Sequence, residues 1–177
     1  LPLQILFLNL VTDVFPALAL GVGQAEQDIM KNPPRRSNEP IMTGKLWSMT
    51  AIYGITMTAA VIGISYFGKV QLRLLPEVIN NLGFYTLVFV QILNVFNTPL
   101  RNRSFFRNQV TGNPWVWLAI LICTLIMIAA YFLPFMQKAL SLVPLGWDQF
   151  KWVLIFGFFT LGLTQLLKRL IFRTQGE

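Results

Sequence analysis

The chain has 177 residues, of which 55% are hydrophobic and 12% charged. Soluble domains carry roughly 25% charged residues, and the mean hydropathy of +0.60 points to a bilayer rather than to water. The formal charge of +7 comes from short basic clusters between apolar runs, the pattern of loops retained in the cytoplasm, so no nucleic-acid partner is expected. There is no histidine and one cysteine, which excludes histidine-based metal sites and an internal disulfide within these residues.

Apolar runs near 20 residues long, the length that crosses a hydrocarbon core, predict an all-α integral membrane fold. The expected bundle has five transmembrane helices, at about residues 3–22, 46–68, 80–100, 115–136 and 150–171. The chain opens on Leu1-Pro2-Leu3 with no initiator methionine and runs straight into the first helix. That is expected of a piece cut from a longer protein.

The first span carries Asn9, Thr12 and Asp13 at mid-depth. At i, i+3 and i+4 these side chains share one helix face, and all three offer oxygen. Asp13 is the acidic residue of the five expected spans. A carboxylate at this depth is costly unless it meets protein, water or an ion. Pro16 has no N–H and clashes with the carbonyl four residues earlier, that of Thr12. The helix is therefore expected to break near Pro16 and leave that carbonyl beside Asp13. A carboxylate, an amide oxygen, a hydroxyl and a freed carbonyl form part of a cage for a hard cation. Calcium takes six to eight oxygens, so further ligands must come from elsewhere. The alternative is a buried Asp13 that pairs locally and only fixes packing.

Next comes a polar stretch, residues 23–45, with Asn32-Pro33-Pro34-Arg35-Arg36, which cannot be helical throughout. The second span offers small residues at four-residue spacing, Gly54 with Thr58 and Ala59 with Gly63, as a candidate packing seam. The third holds Gln91, Asn94 and Asn97. Arg101, Arg103 and Arg107 precede the turn signal Gly112-Asn113-Pro114, and Asn102-Arg103-Ser104 fits a glycosylation triplet that the expected topology keeps in the cytoplasm, unmodified. Cys123 sits in the fourth span and is expected to serve packing.

Five helices alternate sides. Lys31, Arg35, Arg36, Lys45, Arg101, Arg103, Arg107, Lys168, Arg169 and Arg173 fall on one side, and Lys69, Arg73, Lys138 and Lys151 on the other. The first set is expected to be cytoplasmic, and the C-terminus with it. Trp47, Trp115, Trp117, Trp147 and Trp152 fall near helix ends, as an interfacial belt requires.

The wording Asn9-Leu10-Val11-Thr12-Asp13, then Pro16-Ala17-Leu18-Ala19-Leu20-Gly21, Asp28-Ile29-Met30 and Pro33-Pro34-Arg35, resembles the sixth transmembrane helix and following loop of calcium-transporting P-type ATPases, the family of the sarcoplasmic reticulum pump. The resemblance implies helices six to ten of such a pump. Asn9, Thr12 and Asp13 would then be metal ligands, with Asp13 touching more than one ion site. The family draws further ligands from its fourth and fifth helices, which this chain lacks, and from its eighth, here the helix around Gln91. Gln91 stands where the reticulum pump has a glutamate. A neutral amide there favours one calcium ion per cycle. Asn94 and Asn97 either line the same cavity or hydrogen-bond across helices.

The implied reaction is ATP-driven Ca2+ transport, with ATP and Mg2+ bound on cytoplasmic domains outside this chain. No phosphorylation or nucleotide motif occurs within it, so alone it is expected to hydrolyse nothing. The expected partners are membrane lipid and the remaining helices and cytoplasmic domains of the pump. The expected setting is a bacterial plasma membrane. Two alternatives stand beside this: a monovalent-cation (Na+/K+) pump of the same family, or a secondary transporter using Asp13 as an ion or proton site.

Overall fold

A computed structural model describes residues 2–22, 42–97 and 110–174. The Pro33-Pro34-Arg35-Arg36 loop, Arg101, Arg103 and Arg107 lie outside the described residues, as does the glycosylation triplet. The described elements are helical: α1 (Pro2–Asn9), a π turn (Leu10–Val14), α2 (Phe15–Gly21), α3 (Gly44–Val70), α4 (Pro76–Asn94) closed by a 3-10 turn (Val95–Asn97), α5 (Pro114–Phe132), α6 (Pro134–Leu140) and α7 (Trp147–Thr174). Among the described residues, five continuous stretches are long and apolar enough to cross a membrane: Pro2–Gly21, Leu46–Val70, Pro76–Asn97, Pro114–Phe132 and Trp147–Leu170.

Helix boundaries follow local chemistry. Thr43 caps α3, its side chain accepting from Leu46 N at 3.4 Å, and Asn113 caps α5, accepting from Trp115 N at 2.9 Å. Proline opens α4, α5 and α6, where its missing N–H costs no helical bond. The fourth span is shorter than the sequence suggests. Leu133 precedes Pro134 and is held extended at ψ 118°, as a residue before proline must be. The chain then restarts as the short α6, which ends on Ser141 in the left-handed conformation.

α4 is the central helix: 56% of its span is buried, against 22% in α3, α5 and α7. On one side it packs with α3 and α7. On the other it meets the π turn, which belongs to a second group formed by α1, α2, α5 and α6. Ile64, Leu82, Val88, Val11, Cys123 and Val153 fill the centre.

The α3 seam differs from the sequence expectation. Thr56, Ala60, Ile64 and Gly68 are the buried positions at four-residue spacing, whereas Gly54, Thr58 and Ala59 are exposed. Gly63 of the expected seam does meet the neighbouring helix, since a Cβ there would stand 3.1 Å from Phe156, and Phe67 packs on Trp152 with centroids 4.4 Å apart. Trp152 thus turns inward, while Trp47, Trp115, Trp117 and Trp147 are exposed at the starts of their helices.

Candidate ion site on the split helix

The break before Pro16 is a change of hydrogen-bond register, not an unwinding. Asn9 and Phe15, which bracket the π turn, both keep right-handed helical dihedrals. With no N–H at Pro16 the i→i−4 ladder cannot continue through that position. The helix absorbs the fault by widening to i→i+5 over Leu10–Val14, the form of bulge that recurs at functional sites.

The wider turn redistributes the three candidate ligands. Positions i and i+4 stay nearly in line on it, while i+3 falls behind. Asn9 and Asp13 are accordingly both exposed, whereas Val11 and Thr12 are buried. The shared face expected from sequence therefore holds for Asn9 and Asp13, and Thr12 turns toward the packed side. Its hydroxyl still reaches the carboxylate: Thr12 Oγ1 lies 3.2 Å from Asp13 Oδ1 and 2.9 Å from the carbonyl oxygen of Leu8. It is the donor in either contact, which leaves its lone pairs free to accept.

α4 packs on the π turn and carries Gln91. The Gln91 side chain is half-buried, and its Oε1 is buried with no hydrogen-bond partner among the described residues. An unmatched buried acceptor is expensive, and a cation or a donor would relieve it. Asn94 and Asn97 are committed elsewhere. Asn97 Nδ2 donates to Asn94 Oδ1 at 3.0 Å, and Asn97 Oδ1 accepts from Gln165 Nε2. The Asn97 carbonyl accepts from Tyr53 Oη and Lys168 Nζ, each at 2.8 Å. These two asparagines tie α3, α4 and α7 together at one end of the bundle.

Donors from α5, together with the carbonyl of Leu140 in α6, hold the split helix along its length. Gln4 Nε2 donates to Leu140 O at 2.9 Å, Cys123 Sγ to Val11 O at 2.8 Å, and Asn113 Nδ2 to Ala19 O at 3.1 Å. Asn80 Nδ2 also donates to Gln4 Oε1 at 3.3 Å, which binds α4 to the same end. Sequence reasoning passed over Gln4, Asn113 as a tertiary donor, and Cys123 as anything but filler. A lone amide such as Gln4 in an apolar run was the available signal. Among the described residues no three His, Cys, Asp or Glu side chains gather into a metal cluster. A cation at Asp13 would find neutral oxygens beside it, those of Asn9 and Thr12, which suits a hard, oxygen-seeking ion.

The family model described as "Cation transporting ATPase, C-terminus" matches residues 1–170. Calcium-transporting ATPase 1 of Lactococcus lactis is 33% identical, the alignment covering 88% of this chain and 17% of that protein. A probable calcium-transporting ATPase of Trypanosoma brucei brucei is 30% identical over 83% of this chain and 17% of its own length. An endoplasmic reticulum calcium ATPase of Aspergillus fumigatus is 27% identical over 95% and 20%. The chain spans a fifth or less of these relatives, 17% to 20% of their length.

Proposed function

Because the chain belongs to the cation-transporting ATPase C-terminal family, we propose that it supplies the last five membrane helices of an ATP-driven calcium pump. Its apolar helices make it an integral membrane protein. Asn9, Thr12, Asp13 and Gln91 contribute oxygens to the intramembrane ion site. One observation above all supports the reading: an exposed carboxylate, Asp13, stands on a π turn near the middle of a span with no other charged side chain. Such a group is retained in a membrane for function.

The roles follow from chemistry. Asp13 supplies charge, Asn9 an amide oxygen on the same open face, and Thr12 a hydroxyl whose proton is already directed at protein oxygens. Gln91 offers an acceptor that has no partner within the bundle. One carboxylate cannot neutralise a divalent ion, so the remaining negative charge comes from helices outside this chain. With a neutral amide at Gln91, one Ca2+ per cycle is the balance these residues favour. ATP and Mg2+ act on cytoplasmic domains of the full pump, whose movements reshape the site by shifting the two halves of the split helix. The basic loops and the C-terminus face the cytoplasm. The setting proposed is a bacterial plasma membrane, with both bacterial and eukaryotic proteins among the relatives.

The test is ATP hydrolysis by the full-length pump in lipid vesicles, titrated separately with calcium, sodium, potassium and manganese. Stimulation by micromolar calcium that Asp13→Asn abolishes is the expected result. Stimulation by a monovalent ion alone would overturn the choice of cargo.

A further inference from the structure

The π turn creates a specific deficit. In the i→i+5 register the carbonyl of Val11 would take its hydrogen from residue 16, which is Pro16 and has none. Val11 is completely buried, so water cannot make up the loss, and an unmatched carbonyl in the apolar core is costly. The donor comes from another helix: Cys123 Sγ lies 2.8 Å from Val11 O, and Cys123 is also completely buried. α5 can approach this closely because its facing positions are small, with Ala119, Cys123 and Ala130 all buried. The flanking bonds, Gln4 to Leu140 above and Asn113 to Ala19 below, fix the two half-helices and leave the register between them to the thiol.

We propose that Cys123 is a positioning residue for the ion site: its thiol replaces the N–H that Pro16 lacks and holds the π register that keeps Asn9 and Asp13 on one open face. The proposal rests on the assignment of the site to Asp13. Cys123 touches no ion. It acts through the Val11 carbonyl, two residues before Asp13. Loss of the donor lets the turn relax toward other registers, which weakens binding without touching the energy source.

The experiment uses the full-length pump with Cys123→Ala, which removes the donor and keeps the position small, and Cys123→Ser, which restores a donor. Cys123→Ala is expected to raise the calcium concentration for half-maximal ATPase activity about fivefold, the maximal rate staying within about twofold, and Cys123→Ser to return it to within about twofold of the parent. An infrared difference spectrum between the parent and Cys123→Ser should show an S–H stretching band at lower frequency than a free thiol. A free-thiol band, an unshifted calcium dependence in Cys123→Ala, or a loss of maximal rate alone would overturn the proposal. If Asp13→Asn leaves calcium activation intact, the site assignment fails instead, while the infrared band still reports on the bond.

Discussion

The two halves of the bundle solve the same problem differently. In α3, α4 and α7 the backbone is regular, and the contacts between helices are made by side chains on side chains and by polar groups gathered at Asn97. Thr164 Oγ1 donates to Thr56 Oγ1 at 3.1 Å deep in this packet, and Phe89 and Phe158 pack edge to face with centroids 5.4 Å apart. In α1, α2, α5 and α6 the backbone itself is faulted, and Cys123 and Asn113 on α5 reach its carbonyls, while Gln4 reaches out to that of α6. A regular helix satisfies its own hydrogen bonds and can slide or rotate as a rod. A faulted one must borrow donors, and each borrowed donor fixes a register. The faulted half carries Asn9, Thr12 and Asp13, and α4 of the regular half carries Gln91, whose Oε1 is buried with no hydrogen-bond partner among the described residues.

This contrast predicts that mutations in one half change ion affinity and mutations in the other change stability. The largest effect is expected at Asp13. Asp13→Asn should raise the half-activating calcium concentration on the order of a hundredfold. Asp148→Asn, in the regular half, should leave it unchanged, because Asp148 is exposed and pairs with Lys151 at 3.2 Å. Equal effects of the two would erase the contrast.

In the regular half, Gly157 is where packing leaves no room. A Cβ there would collide with the ring of Phe89. Gly157→Ala should therefore cost about 1–3 kcal/mol through overpacking, seen as a lower Tm of the solubilised pump, with calcium affinity retained in the folded fraction. Recovery in the double variant with Phe89→Ala would assign the cost to that contact.

Pro16→Ala tests whether the fault is needed. It supplies an N–H at residue 16 and removes the reason for the π turn. We expect the half-activating calcium concentration to rise about tenfold while Tm holds or increases. A variant with unchanged affinity would show that the register does not matter to the site. Asn97→Ala should have the smallest effect, about 1 kcal/mol of stability, since hydrogen bonds between membrane helices average about 0.6 kcal/mol each. Its backbone carbonyl would still accept from Tyr53 and Lys168. A shift in calcium dependence with no loss of Tm would place Asn97 in the ion path.

Much of the fold was legible because bilayer thickness fixes element length. The five apolar stretches, and the fault beside Pro16, follow from counting and from the missing N–H. Less legible was the form the fault takes. Proline in isolation predicts an opened carbonyl at Thr12, and only the packed neighbour reveals that the turn widens, swings Thr12 inward and passes the demand for a donor to Cys123. The α3 seam was misplaced for a related reason. Small residues at Gly54, Thr58 and Ala59 satisfy the spacing rule, but the buried positions are Thr56, Ala60, Ile64 and Gly68, and of the expected four Gly63 is the one that closes on a ring of α7, Phe156. Asn94 and Asn97 were ambiguous from sequence because an amide lining a cavity and an amide bridging helices have the same spelling. Of the candidate ligands, Asn9 and Asp13 are both exposed, whereas Thr12 is buried.

The central claim is that the carboxylate on the π turn binds the transported ion. Equilibrium binding of radioactive calcium to the full-length pump, parent against Asp13→Asn, measures it directly and without ATP. The account predicts that the parent holds one calcium per pump at micromolar concentration and that Asp13→Asn holds none. Undiminished binding in Asp13→Asn would contradict it and move the site off this helix.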